Sequence, residues 1–307
     1  MTAGPVYAPY VPEYASTEPY ITAEEFLAAP TGTDTTQLLP GGSPNANRDA
    51  LAGVIQRASS YADVYCRQVL AATRDVQPAP PQGWRVQVPS SGRALIRVPV
   101  DYTPVLQVDE VWVGQSPSDV ARMTDLTGLW ISRKVVSVPV SGTSNMAVGA
   151  NGYWPTAPNR MFGYIRYVNG WANATLGHGA LAGATSIVPT DVLGIYPGLG
   201  ITVYDGLYAR TEKVVVASTY VPGTATVDLV SPLAHDHAAG VAVSALPPAV
   251  RQAVISLTSS LIKRRGGESL VLAALGESPQ RKTMGEPGVV SDVEVAMQLL
   301  LPFRRAR

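Results

Sequence analysis

Apolar residues recur at three- and four-residue spacing only towards the two ends of this chain; between them the period falls to two, in short runs cut by glycine, proline and serine. From about Ala46 to Leu70, the residues Leu51, Val54, Ile55, Ala58, Ala62, Tyr65 and Val69 mark the buried stripe of one long amphipathic helix. A second stripe, Val250, Val254, Leu257 and Leu261, follows Pro247-Pro248 and ends at the basic cluster Lys263-Arg264-Arg265, which opposes the negative helix end. Thr22-Ala-Glu-Glu25 and Ser291-Asp-Val-Glu294 read as capping boxes opening two shorter helices that Pro30 and Pro302 stop. The helical ends are each too short to bury a core alone, so they are expected to pack together. Gly53, inside the long helix, is expected where another helix passes close by.

The middle of the chain reads as strands. Trp84–Val88, Ala94–Val98, Gln107–Val113, Lys134–Val138 and Tyr164–Val168 form one group; Gly200–Tyr204, Glu212–Ala217, Ala225–Leu229 and Gly240–Ser244 form another. Spacing of about a dozen residues in the second group suits a compact barrel or sandwich. The fold class expected is therefore α+β: a small helical bundle formed by the N- and C-terminal segments, with a β-rich section and an additional small β-barrel or sandwich domain inserted between them. The boundaries follow as a helical core over 21–75 plus 246–307, a β-rich section over 80–171 and an inserted β domain over 172–245. Residues 1–20, with Tyr7, Tyr10, Tyr14 and Tyr20 among Pro5, Pro9, Pro12 and Pro19, favour an extended N-terminal arm lying on a neighbour, or an unordered tail.

The net charge is zero, which removes a whole-chain argument for nucleic-acid binding, but the ends differ. Residues 1–50 sum to −5 and residues 247–307 to +4, so the two ends are electrically complementary, within one chain or between neighbours. The single cysteine, Cys66, excludes an intrachain disulfide and a Cys-rich metal site. The opening residues lack the basic and apolar regions of a signal peptide, and no apolar run reaches the roughly 18 residues of a membrane span, so a soluble protein and no membrane partner are expected.

Catalytic motifs offer no foothold: G-x-S-x-G, the Walker loop, G-x-G-x-x-G, H-E-x-x-H and C-x-x-C do not occur. His235-Asp-His237 is the only cluster resembling a metal site, and it reads as a solvated polar turn; His178 reads as a loop residue. Cys66 beside the apolar stripe reads as a buried structural thiol, and Trp84, Trp112, Trp130, Trp154 and Trp171 as core packing. No enzyme activity, metal or cofactor is expected.

Several segments, in order, resemble one family. The short Thr22-Ala-Glu-Glu-Phe-Leu27 helix and the long helix ending Ala58-Ser-Ser-Tyr-Ala-Asp-Val-Tyr-Cys-Arg-Gln68 resemble the opening of phage head-to-tail adaptor proteins, the head-completion connectors of long-tailed phages. A strand like Val105–Gly114, the run Tyr167-Val-Asn-Gly-Trp171, a helix like Leu246-Pro-Pro-Ala-Val-Arg-Gln-Ala253 and a basic end such as Leu301-Pro-Phe-Arg-Arg305 continue the likeness. It covers about 20–171 and 246–307; the stretch 172–245 departs from the pattern.

The resemblance implies a structural virion protein in the neck, assembled in the host cytoplasm. It implies a ring, commonly of twelve copies, docked on the portal protein, meeting a stopper or tail-side connector, with genomic DNA passing through the lumen without sequence-specific contacts. By position it makes Leu299, Leu301, Phe303, Arg304, Arg305 and Arg307 portal contacts. Tyr7, Tyr10, Tyr14, Glu24, Glu25, Arg264 and Arg265 are the expected contacts between subunits. The competing readings are another neck or tail-completion protein, a stopper or terminator, which should lack paired terminal helices, and a carbohydrate-binding, adhesin-like β protein with Trp and Tyr exposed on one strand face.

Overall fold

The computed structural model describes residues 14–15, 18–87, 94–132, 134–140, 160–206, 208–263 and 291–305. Tyr7, Tyr10, Trp154, Arg264, Arg265 and Arg307 lie outside the described residues, as do most of the expected arm and the loop 266–290. The protein is a mix of helix and strand with few helices and a curled, half-barrel sheet. Its chain divides into two compact units, one of residues 1–15 with 72–170, the other of residues 16–71 with 171–307.

The first unit is an antiparallel sheet of Tyr14–Ala15 (β1), Thr73–Pro78 (β2), Trp84–Gln87 (β3), Ala94–Pro99 (β4), Val105–Gly114 (β5), Ala121–Arg122 (β6), Trp130–Ser132 (β7), Val135–Val140 (β8) and Arg160–Asn169 (β9). Strand β9 is its spine. On one side it pairs with β5, from Val105↔Asn169 to Gly114↔Phe162; on the other it pairs first with β2 and then with β3. Two register shifts in β5, near Gln107 and Asp109, add the local bend that such irregularities bring to a sheet. Alternate residues, among them Val86, Ile96, Val98, Val111, Val113, Val136, Val138, Ile165 and Tyr167, fill one core, as the two-residue period requires. Gly163 interrupts this apolar pattern for a steric reason: a Cβ there would stand 1.9 Å from the Trp112 carbonyl oxygen.

Sequence and structure part at two places in this unit. Tyr14–Ala15 was read as part of an extended arm and not as a strand, yet its backbone pairs with β2, Tyr14 opposite Arg74. Strand β2 itself is hidden in the sequence by its polarity. Thr73 and Asp75 are buried and satisfy each other: the Thr73 hydroxyl donates to Asp75 at 2.7 Å, and the Asn169 amide donates to the same carboxylate. Burial pushes the Asp75 carboxyl up to about 6.

The second unit holds the helices Ala23–Ala28 (α1), Pro44–Cys66 (α2), Pro248–Lys263 (α3) and Asp292–Leu300 (α4). Thr22 caps α1, Ser43 caps α2 with Pro44 at the first position, and Ser291 with Glu294 forms the reciprocal capping box of α4. Phe26 of α1, Leu51, Ile55, Ala58 and Ala62 of α2, Val250, Ala253, Val254 and Leu257 of α3, and Ala296 and Leu300 of α4 share one apolar cluster.

The same unit contains Asn173–Thr175 (β10), Ser186–Ile187 (β11), Gly200–Tyr204 (β12), Glu212–Val215 (β13), Val227–Asp228 (β14) and Ala242–Ser244 (β15). They form a four-stranded antiparallel sheet, β10-β15-β12-β13, and a two-stranded ribbon, β11-β14, around a separate core of Leu176, Ile187, Ile201, Val203, Val216, Val227 and Val243.

Gly53 does not mark a close helix contact: a Cβ built there meets nothing within 4 Å. It sits on the exposed side of α2, where glycine carries only its entropic disadvantage. Gly53→Ala is therefore expected to raise the stability of the second unit by about 1 kcal/mol, read as a higher denaturant midpoint with an unchanged slope.

Candidate functional site

The C-terminal segment and the turn that receives it form the candidate site, all within the second unit. Helix α4 is held on α3 by Val293, Ala296 and Leu300, spaced three and four apart, and by Lys263, whose Nζ lies 2.9 Å from Asp292. That pair joins the C-terminal end of α3 to the N-terminal end of α4, so each charge opposes the local helix dipole. Pro302 then ends the helix in a short 3₁₀ turn, Leu301–Phe303.

The segment lies against the end of α2. Arg305 N–H donates to the Cys66 carbonyl at 2.9 Å, and Gln68 Nε2 donates to the Phe303 carbonyl at 2.9 Å. Phe303 meets Trp171 edge to face with centroids 5.6 Å apart, and the Arg304 guanidinium stands 5.0 Å from the centre of the Tyr65 ring.

Helix α2 stops without a glycine. Arg67 adopts the left-handed conformation, φ 58°, and Gln68 N–H reaches back to the Asp63 carbonyl at 3.2 Å. The following amides are buried and need acceptors. The Tyr20 hydroxyl accepts from Leu70 N–H at 3.0 Å and Ala71 N–H at 3.2 Å while donating to Asp63, and the Asp63 carboxylate also accepts from Leu70 N–H at 3.0 Å. Burial raises the Asp63 carboxyl to about 7 against the opposing bonds from Tyr20 and Leu70. Burial, with Asp63 nearby, pushes the Cys66 thiol up to about 12, so it stays protonated, consistent with its packing role.

The residues expected at the portal divide by placement. Leu301 is 59% exposed and Arg304 is exposed; Leu299, Phe303 and Arg305 are half-buried against their own chain. Of the expected subunit contacts, Glu24 pairs with Arg48, and Glu25 pairs with the buried Arg251, whose Nε donates to it at 3.0 Å. Arg251 also lies 3.7 Å from the centre of the Tyr204 ring. Burial raises the Glu25 carboxyl despite that cation. Tyr14 is in β1. Tyr20, Asp63, Tyr65 and Gln68 were not singled out as functional, although a carboxylate next to the apolar stripe of α2 was visible in the sequence.

The His235-Asp-His237 reading needs correction. His237 is buried, not solvated: Nδ1 lies 2.9 Å from Asp205 and Nε2 2.8 Å from Glu212. The two ring nitrogens point to opposite carboxylates, which suits a bridge and not convergence on one ion, and no group of metal-ligating side chains occurs among the described residues. Burial works against ionisation of Glu212, but the amides of Ala234 and His235 and the His237 ring outweigh it and hold the carboxyl below its ordinary value.

The tryptophans also differ. Trp84 is buried and Trp171 packs on Phe303, whereas Trp112 is half-buried and stacked on Tyr164 with centroids 5.7 Å apart, and Trp130 is 63% exposed. No helix among the described residues is long and apolar enough to cross a membrane.

Compared with known proteins, the chain matches no family model and no curated protein.

The Asp63 carboxyl sets a pH dependence. Its folded value lies above the unfolded value near 3.9, so the folded state holds the proton more tightly and stability falls as pH rises from about 4 to about 7. One proton contributes at most about 1.4 kcal/mol per pH unit. Asp63→Asn, which keeps an acceptor for Leu70 N–H, is expected to make that decline shallower in urea titrations followed across this range; an unchanged slope would show that Asp63 titrates normally.

Proposed function

We propose that the chain is a structural virion protein, one subunit of a head-to-tail adaptor ring that docks on the portal, extends the DNA channel and provides the tail's attachment platform. The observation that supports the reading is the apolar cluster to which α1, α2, α3 and α4 all contribute, next to a segment after α4 in which Leu301 is exposed. The order of these elements is the order in which the sequence resembles adaptor proteins, and a β domain over 172–245 stands between Trp171 and Leu246 as an addition.

In this reading the terminal segments form the helical bundle, and Leu301, Arg304, Arg305 and Arg307 face the portal. Leu299 and Phe303 hold the segment in place. About twelve copies close the ring, DNA crosses its lumen without base-specific contacts, and a stopper or tail-side connector joins from the other side. No enzymatic step is assigned. The exposed Trp130 favours the carbohydrate-binding alternative, which predicts lost glycan binding in Trp130→Ala with folding intact.

Removing residues 299–307 would take away buried Leu300 along with the exposed residues, so surface substitutions make the cleaner test. The double variant Leu301→Asp, Arg304→Glu is expected to melt like the parent yet join portal-bearing heads at least about tenfold less well, the effect of some 1.4 kcal/mol of lost binding. Heads that load the variant normally would remove the portal assignment. A cryo-electron reconstruction of the neck, looking for this chain in a ring directly beneath the portal, tests the function as a whole.

A further inference from the structure

We infer that Thr73, Asp75 and Asn169 form a self-modifying site: the Thr73 hydroxyl displaces ammonia from the Asn169 side-chain amide, with Asp75 as the base, and leaves an ester bond joining β2 to β9. The strand register places the three residues for it. Thr73 stands directly opposite Asn169 in the β2–β9 ladder, so the two side chains share one face of the sheet, and Asp75, two residues along β2, shares it too. Directly opposed residues hold their Cβ atoms about 4.5–5.5 Å apart. Threonine Oγ and asparagine Cγ are each one bond further out, so rotation about χ1 brings them within bonding reach.

The hydrogen bonds assign the roles. The Thr73 hydroxyl donates to Asp75 Oδ2 at 2.7 Å, and the Asn169 amide nitrogen donates to the same oxygen. One carboxylate therefore touches both the proton that the nucleophile must lose and the nitrogen that must leave, as acyl transfer with a single base requires. Thr73 is 2% exposed and Asp75 and Asn169 are each 1% exposed, which keeps water from competing for the acyl carbon. Burial pushes the Asp75 carboxyl up to about 6, so its carboxylate is a stronger base than that of a surface aspartate. The neighbouring backbone nucleophile, the Gly170 amide, is engaged elsewhere: its N–H donates to the Pro104 carbonyl at 3.0 Å.

The step balances without a co-reactant. Asp75 takes the hydroxyl proton as Thr73 Oγ adds to Asn169 Cγ. The tetrahedral centre collapses as the Cγ–Nδ2 bond breaks, and Asp75 returns the proton to the departing nitrogen. One C–O bond replaces one C–N bond, ammonia leaves, and Asp75 ends as it began. Protonation of ammonia in neutral solution, and its dilution, draw the exchange forward.

The position of the bond gives it an effect. Within the stretch 72–170 of the first unit, Thr73 is the second residue and Asn169 the last but one. An ester there closes the stretch at its base, so tension along the chain passes through the bond and bypasses the sheet. As with a disulfide, closing so long a loop restrains the unfolded chain strongly. The inference does not rest on the adaptor reading.

The intact mass of the full chain in denaturant tests it. The parent is expected to be lighter than its sequence mass by one molecule of ammonia, and trypsin to release residues 68–74 joined to residues 167–210, a pair that hydroxylamine separates. Thr73→Ser should keep the link, whereas Thr73→Val and Asp75→Asn should run at full sequence mass. A parent chain that stays at its sequence mass overturns the inference. So does loss of ammonia with the two peptides unjoined, which marks a succinimide at Asn169-Gly170, and so does loss of ammonia that persists in Thr73→Val. The parent's own mass and peptides decide, so a variant that misfolds leaves the test standing.

Discussion

The amides of Leu70 and Ala71, buried just beyond the end of α2, are the constraint around which the helical part of this protein is arranged. A buried N–H without an acceptor costs about 1–3 kcal/mol, and neither helix nor sheet supplies one here. Tyr20 and Asp63 do, from residues 43 positions apart. Once the turn 67–71 is fixed in this way, its remaining groups become docking points. Trp171 N–H donates to the Leu70 carbonyl at 3.0 Å, Arg305 N–H to the Cys66 carbonyl, and Gln68 to the Phe303 carbonyl. Tyr20, α2, Trp171 and the C-terminal segment thus meet at one turn. The run Tyr167-Val-Asn-Gly-Trp171 has a physical meaning in this setting: Asn169 satisfies Asp75, Gly170 turns with φ 89°, and Trp171 packs on Phe303.

The strands of the second unit enclose an apolar core of their own, and polar contacts join them to the helices. Asn173 donates to the Pro19 carbonyl at 3.1 Å and shares its side-chain oxygen with the Ser244 hydroxyl at 3.0 Å. Tyr204 lies over Arg251, which reaches Glu25, and a Cβ at Gly206 would come within 3.3 Å of Glu24. The neighbouring Asp205 anchors His237. Residues 204–206 therefore adjoin Glu24 of α1, Arg251 of α3 and the buried His237 within one stretch of chain. Directional bonds of this kind fix orientation more than they add stability, since a buried pair recovers little beyond its own desolvation.

Periodic elements were the legible part of the sequence. The stripe of α3 and the strand Gly200–Tyr204 stand where spacing put them, and the capping box at Ser291 is present in full. What escaped has common causes. Strand β2 is polar because its buried Thr73 and Asp75 are matched by Asn169, a partner 94 positions away from Asp75 that no local pattern displays. Helix α2 ends at Cys66, four residues before the expected Leu70, because the stop is made by a left-handed Arg67 and not by the glycine that usually signals one. His237 looked like a surface turn for the same reason as β2: Asp205 and Glu212, 32 and 25 residues distant, turn a polar tripeptide into an interior bridge. At the candidate site the basic end was visible, but the elements that hold it, Tyr20 with Asp63 and Gln68 with Phe303, depend on tertiary proximity.

Among the described residues, the buried ionisable groups are committed to architecture. Asp63 serves the turn, Asp75 the sheet, Glu25 and Arg251 the junction between α1 and α3, and His237 the loop beside β13. These groups bond to their own chain, with the Nη1 of Arg251 left as a buried donor without a hydrogen-bond partner. At the surface, by contrast, Leu301 and Arg304 stand exposed after α4, where no buried partner fixes them to the architecture of the core.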